Sequence, residues 1–248
     1  MLPNSIKDQL DPVSLQAYIE RESLFCLLCS SNLRVRSLAA VTAGILVPGC
    51  ESLVEALDHP TVAATRIAEI NAIGSGGSMH QFLEQHDELS YSEFRESTDP
   101  GSIVKGVRHE DLTRLSYPDA SLDLILTSDT LEHIPASGAA FSECHRVLSH
   151  DGTLVFTVPM TPLVPHTRVR ATVDNTGQIT HNVEPQYHGR GSGPFALLPM
   201  ASDMLAFVDF GLDVIDKLGA AGLEARVEFA DDDHARSGAS AVVVAKRA

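Results

Sequence analysis

Residues 107–159 read VRHEDLTRLSYPDASLDLILTSDTLEHIPASGAAFSECHRVLSHDGTLVFTVP. Two runs in this stretch, 122–127 and 153–158, have strand length and are rich in Leu, Ile, Val, Phe and Thr. Between them the period changes. Phe141, Cys144 and Leu148 stand three and four apart, so a helix would carry them on one face. Ser137 is a good residue type to cap that helix, and His150-Asp151-Gly152 offers turn chemistry at its end, with Gly152 as the permissive position. Strand, helix and strand at these lengths form a βαβ unit with two parallel strands buried on both faces. Asp129, Glu132 and His133 follow directly on the first strand. Open parallel sheets bind ligands at that edge, so fold and chemistry point to one place.

Outward from this unit, the totals set limits. The chain has 248 residues, 44% of them hydrophobic, which suits a globular core. Its formal net charge is -15. That balance argues against a broad nucleic-acid surface and against docking on anionic lipid, since both need clustered Lys and Arg. No apolar run approaches membrane-spanning length, and the opening residues MLPNSIKDQLDP lack the character of a signal peptide. Four cysteines in this length do not make a disulfide framework. A cytoplasmic setting is the expectation.

Residues 1–60 read as a helical segment leading into the sheet. Ser14 could cap a first helix; apolar spacing from Leu33 to Leu46 marks a second, broken by Pro48-Gly49; Leu53, Val54 and Leu57 mark a short third. Cys26 and Cys29 form a CxxC, but one pair cannot close a tetrahedral zinc site; Cys50 and His59 could complete a set for a zinc-containing module, although their spacing matches no finger pattern, and no metal is assigned. Two small buried thiols are the plainer reading. Arg34 and Arg36 follow as surface charges or as groups that reach an anionic ligand.

The sheet should begin at 66–70, RIAEI, and run through Asn71-Ala72-Ile73-Gly74-Ser75-Gly76-Gly77 into a helix from Ser78. Strand, glycine loop and helix let backbone approach a nucleotide-like ligand, although GSGG does not meet the GxGxxG fingerprint and a flexible turn is the other reading. Further strands are expected at 89–94, with Glu93 near its end, and at 106–110, followed by Asp111. Carboxylates at successive strand ends point to a shared job, such as holding a ribose and an adenine, or to solvated loop acids. From 161 to 204 periodicity disappears. That stretch is expected to be a loop-rich lid, with a hairpin around Asn175-Thr176-Gly177 and with Tyr187 and His188 within it. A helix is expected from Phe207 to Gly222, and two strands at 225–229 and 241–245 should close the chain as an antiparallel hairpin on the sheet edge.

Read together, several motifs resemble the class I S-adenosylmethionine-dependent methyltransferases. They are Glu110-Asp111-Leu112, Tyr117-Pro118-Asp119 with Leu122-Asp123-Leu124, Ser128 through Ile134 (SDTLEHI), Glu143 with Arg146-Val147-Leu148, and Asp151-Gly152-Thr153. The match is close over 107–159 and follows the order of elements over 62–248. The resemblance implies an α/β fold: a three-layer, doubly wound, mostly parallel seven-stranded sheet with an antiparallel last strand, here with an N-terminal helical cap. Its domains would be 1–60 and 61–248, the latter carrying the lid at 161–204. The implied cofactor is S-adenosyl-L-methionine. By the same resemblance, Glu69, Gly74, Gly76 and Gly77 would form its loop, Glu93 would hold the ribose, Asp111 and Leu112 would frame the adenine, and Ser128 and Asp129 would lie near the methionine part. The family writes its first loop as acidic-x-Gly-x-Gly-x-Gly; here the glycines are displaced and Ile73 stands among them.

The activity implied is methyl transfer to a small polar acceptor such as a sugar hydroxyl. A hydroxyl must lose its proton as the bond forms, and His133 is the first base expected, with His188 or Tyr187 of the lid as the runner-up. A backbone hydrogen bond that caps the strand end is the other reading of His133. The expected partner is a small-molecule substrate, with no nucleic acid and no membrane; a homodimer is left open. A non-catalytic relative that binds a partner through its N-terminal helices is the alternative to an enzyme.

Overall fold

Fourteen strands and six helices are seen in the computed structural model, which describes residues 11–73, 78–160, 163–188, 204–230 and 238–247. The helices are α1 (Pro12–Ser23), α2 (Leu33–Leu46), α3 (Leu53–Leu57), α4 (Ser78–Leu83), α5 (Ser137–Val147) and α6 (Val214–Ala220). The strands of the main sheet are β1 (Ile67–Ile70), β2 (Leu89–Glu93), β3 (Ile103–Val104), β4 (Val107–His109), β5 (Leu122–Ser128), β6 (Leu148–Thr157), β13 (Leu223–Phe229) and β14 (Ala241–Arg247). Three two-stranded ribbons come from β7 (Arg168–Val169), β8 (Ala171–Val173), β9 (Ile179–His181), β10 (Tyr187–His188), β11 (Met204–Leu205) and β12 (Val208–Asp209).

The βαβ unit stands as expected. β5 is buried along nearly its whole length, which its LDLILTS sequence tolerates because both faces are covered. The main sheet runs β13-β14-β6-β5-β1-β2-β4-β3. Neighbours from β6 to β4 are parallel, and β14 lies antiparallel to both β6 and β13. The order reverses between β1 and β5, so the crevice of a doubly wound sheet opens there. The edge strand β13 carries Glu224, Arg226 and Glu228 in alternation, the usual protection of an edge.

The sheet has eight strands, not seven. The extra one, β3, is paired antiparallel to β4 through a two-residue turn. Lys105 (φ 53°) and Gly106 (φ 82°) both take the left-handed region, as a type I′ hairpin turn requires. Two residues are too few to leave an alternating pattern, which is why the sequence conceals this strand.

Three local expectations are corrected. α5 starts at Ser137, but its cap is Ala136, which has no side chain to bond. In the turn after α5 the positive φ belongs to Asp151 (66°). Gly152 is needed for space instead: a Cβ there would lie 2.9 Å from the Ser149 carbonyl oxygen and 3.1 Å from that of Leu122. And the helix expected from Phe207 begins only at Val214, because Val208 and Asp209 pair with Val169 and Arg168. The hairpin expected around Asn175-Thr176-Gly177 is present as β8 and β9, with Asp174 Oδ1 accepting from Thr176 and Gln178. The closing antiparallel hairpin is also present, with β13 at the edge.

Two cores lie on the two faces of the sheet. One joins Phe141, Cys144 and Val147 of α5 and Val214 and Leu218 of α6 to Ile125, Leu154 and Val243. The other joins Val35, Leu38 and Val41 of α2 and Met79 and Leu83 of α4 to Leu124, Val155 and Val244. α2 thus packs on the sheet as a layer helix. α1 is held differently: its buried Ala17 joins Leu33 and Ala239 in a small separate cluster. Among the described residues no helix is long and apolar enough to cross a membrane.

Candidate functional site

Parallel pairing sends the ends of β1, β2, β4, β5 and β6 to one rim, and the side chains singled out from the sequence are met there in turn. Gly74, Gly76 and Gly77 lie outside the described residues. The residues around that loop are well tied. Glu69 at the end of β1 is fully buried; its Oε1 accepts from the Ile73 amide at 2.8 Å and its Oε2 lies 2.6 Å from His80 Nδ1. Burial pushes its pKa up, against the pull of the Ile73 and His80 hydrogen bonds. Glu69 is therefore engaged by Ile73 and by His80 of α4.

Glu93, at the tip of β2, uses Oε1 to accept from the Ala72 amide at 3.1 Å and from the Tyr91 hydroxyl. The Tyr91 ring stacks at 4.5 Å on the His80 ring, so β2, the loop and α4 are joined at this point. Asn71, at a positive φ of 61°, accepts from Phe94 N–H at 3.1 Å and donates to Thr130 Oγ1 at 3.2 Å. Beyond β4, Asp111 Oδ1 takes the amide and hydroxyl of Thr113, both at 2.8 Å. Glu110 before it is buried and holds Arg108 Nε at 2.6 Å and the Ser116 amide at 2.9 Å, which fixes the turn carrying Asp111. Leu112 is turned into the core. Between the β2 and β4 tips lies a cleft of about 410 Å³, lined among others by Phe94, Arg95, His109, Asp111 and Arg114.

The β5 tip is filled by groups that the sequence does not connect to it. Asp129, at φ 48°, accepts from Arg21 of α1 through both oxygens, at 2.8 and 2.6 Å. Arg34 of α2 donates to Ser128 Oγ at 2.6 Å, lies 3.2 Å from Asp129 and donates to Glu22 at 3.1 Å. Glu22 also pairs with Arg21, and Thr157 Oγ1 donates to Asp129 at 3.0 Å. Arg21 is only 1% exposed. Burial alone would pull its pKa down; the charges of Asp129 and Glu22 outweigh that and raise it. Tyr18 stands in the same field, and its phenol is pushed up to about 12 by burial and then by Glu22. Arg34 was a candidate for an anionic ligand from the sequence; Arg21 carried no signal, since its partner is 108 residues away.

His133 ends the short 3-10 turn Leu131–His133. Its Nδ1 lies 2.9 Å from the Leu205 carbonyl oxygen, which can only accept, so Nδ1 holds the proton and Nε2 is the acceptor of the neutral ring. Nε2 is 3.7 Å from Glu132 Oε1. The backbone bond of His133 thus goes to Leu205 of β11, not to the end of β5 as a strand cap, and it leaves the ring in the tautomer that a base would need. Tyr187 pairs with Leu205 across β10 and β11 and is 43% exposed. The side chain of His188 and residues 189–203 of the lid lie outside the described residues. Among the described residues no group of three or more His, Cys, Asp or Glu could hold a metal ion.

Sheet order and rim define a class. Residues 83–156 match the family model described as a methyltransferase domain. A probable S-adenosylmethionine-dependent methyltransferase of Mycolicibacterium smegmatis is 36% identical over 72 residues, 25% of this chain and 28% of that protein. The matched part thus spans little more than a quarter of that relative. The crystal structure of an S-adenosylmethionine-dependent methyltransferase from Mesorhizobium loti is 19% identical with a TM-score of 0.43, covering 78% of this chain and 95% of that one. SAM-bound CalS10, an amino pentose methyltransferase from Micromonospora echinaspora, is 14% identical with a TM-score of 0.47, covering 96% and 98%. The chain has a doubly wound, mostly parallel sheet with an antiparallel last strand and helices on both faces. Its similarity to S-adenosylmethionine-dependent methyltransferases by sequence lies in the matched segment.

Proposed function

We propose that this protein transfers the methyl group of S-adenosyl-L-methionine to a small polar acceptor, a hydroxyl of a sugar or similar metabolite. The observation that supports it most is the cleft of about 410 Å³ beside the β2 and β4 tips, on the rim where the parallel strands end. That volume lies within the roughly 300–1,000 Å³ typical of small-molecule sites. The carboxylates at these two strand tips suit an adenosyl group. Glu93 is held by Ala72 and Tyr91 through one oxygen, and no described residue bonds the other, which suits ribose hydroxyls. Asp111 is likewise held through Oδ1 alone and suits an adenine amino group. Ser128 and Asp129 would face the methionine end, where the arginine network now stands.

The bound cofactor supplies an activated methyl group on a sulfonium, so the protein's own work is alignment, exclusion of water and movement of one proton. His133 is the base in this reading, with Nε2 as its accepting atom and Leu205 fixing the ring. Tyr187, whose strand pairs with β11 at Leu205, and His188 after it in the chain are the other candidates for that task. The same proposal places the protein in the cytoplasm with a small-molecule partner and no nucleic acid or membrane.

Calorimetry with S-adenosylhomocysteine tests the first part: saturable heat is expected, and none at millimolar ligand would sink the reading. His133→Asn tests the second. Turnover should fall by roughly 10²-fold or more, the usual worth of a general base, with S-adenosylhomocysteine affinity held. Full turnover in that variant would move the role to the lid.

A further inference from the structure

The network at the β5 tip is neutral: two guanidinium groups, Arg21 and Arg34, face two carboxylates, Glu22 and Asp129. Arg21 is buried and Arg34, Asp129 and Glu22 are partly so, and grouping charges there is a poor way to gain stability, because desolvation offsets much of the attraction. α1, which brings Arg21, also places Ala17 in a small cluster with Leu33 and Ala239. The network ties α1 to a point 108 residues away. That point is the reversal of strand order between β1 and β5, the crevice where parallel sheets take their ligands.

We infer that this network is a closed latch over the amino-acid end of the cofactor site, and that it opens by exchange of ion pairs. A ligand's α-carboxylate replaces Glu22 or Asp129 on a guanidinium, and its α-ammonium takes up the carboxylate so released. The ligand class is an adenosyl thioether or sulfonium that carries a free α-amino acid. The amino-acid end of such a ligand brings one charge of each sign, so the exchange leaves the charge of the cluster unchanged. A simple anion or cation would leave it unbalanced in a partly buried place. The inference rests on the adenosyl reading above and adds to it that α1 and the cofactor compete for the same partners.

Two ligands separate the two ideas. 5′-Methylthioadenosine keeps the adenosine and the thioether but has no amino acid, so it reports on the cleft beside Glu93 and Asp111 alone. S-Adenosylhomocysteine reports on both ends. Calorimetry of the full chain with each ligand is the experiment, in the wild type, in Glu22→Gln and in Arg34→Gln. Glu22 is part-exposed and the substitution keeps its shape, while its loss of charge leaves two arginines facing one carboxylate. Affinity for S-adenosylhomocysteine should then rise on the order of tenfold, about 1.4 kcal/mol, with methylthioadenosine unchanged. Arg34→Gln should do the reverse to S-adenosylhomocysteine and again spare methylthioadenosine. The ratio of the two affinities is the readout, so partial loss of folding, which lowers both alike, does not imitate the effect. A ratio that is the same in all three proteins overturns the latch and leaves the adenosyl reading standing. If neither ligand binds any of them, both fall.

Discussion

Asp123, at the start of β5, shows how a motif residue earns its place through packing. The family signature includes it, but its partners are structural. Its carboxylate accepts from Arg66 Nε at 2.9 Å and Nη2 at 2.7 Å, from the Arg66 amide at 3.0 Å and from Ser149 Oγ at 2.7 Å. These bonds, Arg66 first, hold its pKa down to about 2. A depressed carboxylate stabilises the fold above its unfolded pKa of roughly 3.9, and that contribution is lost as pH falls through about 2. The side chain is 32% exposed, so solvent screening reduces the gain. Asp123→Asn is expected to cost about 1 kcal/mol at pH 7. Urea titrations at pH 7 and near pH 2 should show the gap between variant and wild type closing at low pH. A gap that stays constant would mean that the charge of Asp123 does not matter.

At the scale of elements, the lid segment has a firm root. Leu212 and Asp213 donate to the Val164 and Pro165 carbonyls at 2.8 and 3.1 Å, and Asp213 Oδ1 accepts the Thr167 amide at 2.7 Å. The chain at Gly211 runs against residues 164–167 so closely that a Cβ would sit 2.4 Å from the His166 carbonyl carbon and 2.7 Å from its nitrogen. Backbone cannot give way as a flexible side chain can. Gly211→Ala should destabilise the protein by about 1–3 kcal/mol, the usual cost of overpacking, as read from denaturant unfolding. A loss under a few tenths would show that the lid root moves independently of α6. Another element owes its position to signature residues as well. Arg146 of α5 reaches the Leu115 and Tyr117 carbonyls at 2.8 and 3.0 Å and pairs with Glu143 and Asp119, which locks the loop before β5 to the helix after it.

For the whole molecule the question is whether residues 1–60 stand apart from the sheet. Leu38 of α2 is fully buried in the core that includes Leu124 and Val155. Leu38→Ala should therefore cost about 2–5 kcal/mol, as cavity-forming changes in a shared core do. Unfolding followed by circular dichroism should remain one transition, shifted as a unit. Two separated transitions, with the sheet's unchanged, would show a helical segment that folds alone. Val54→Ala, at a position 41% exposed, is the control and should stay within about 0.5 kcal/mol.

The βαβ unit, the parallel strands that follow one another and the acidic residues at their ends were all legible in the chain. Apolar period is a local property: a strand buried on both faces must be continuously apolar, and a helix on it must repeat at three and four. The motif residues were legible for a related reason, since Asp119, Glu143 and Arg146 pair within one supersecondary unit. What Asp129 meets was not legible, because an ion pair is set by the meeting of segments 108 residues apart and neither segment encodes its partner in its own pattern. The same holds for Glu69, whose burial depends on α4 closing over it, and for β3, which exists only because a type I′ turn lays two residues against β4. Local periodicity determined the sheet and its rim; the packing of α1 and α2 onto that rim decided which charges face one another there.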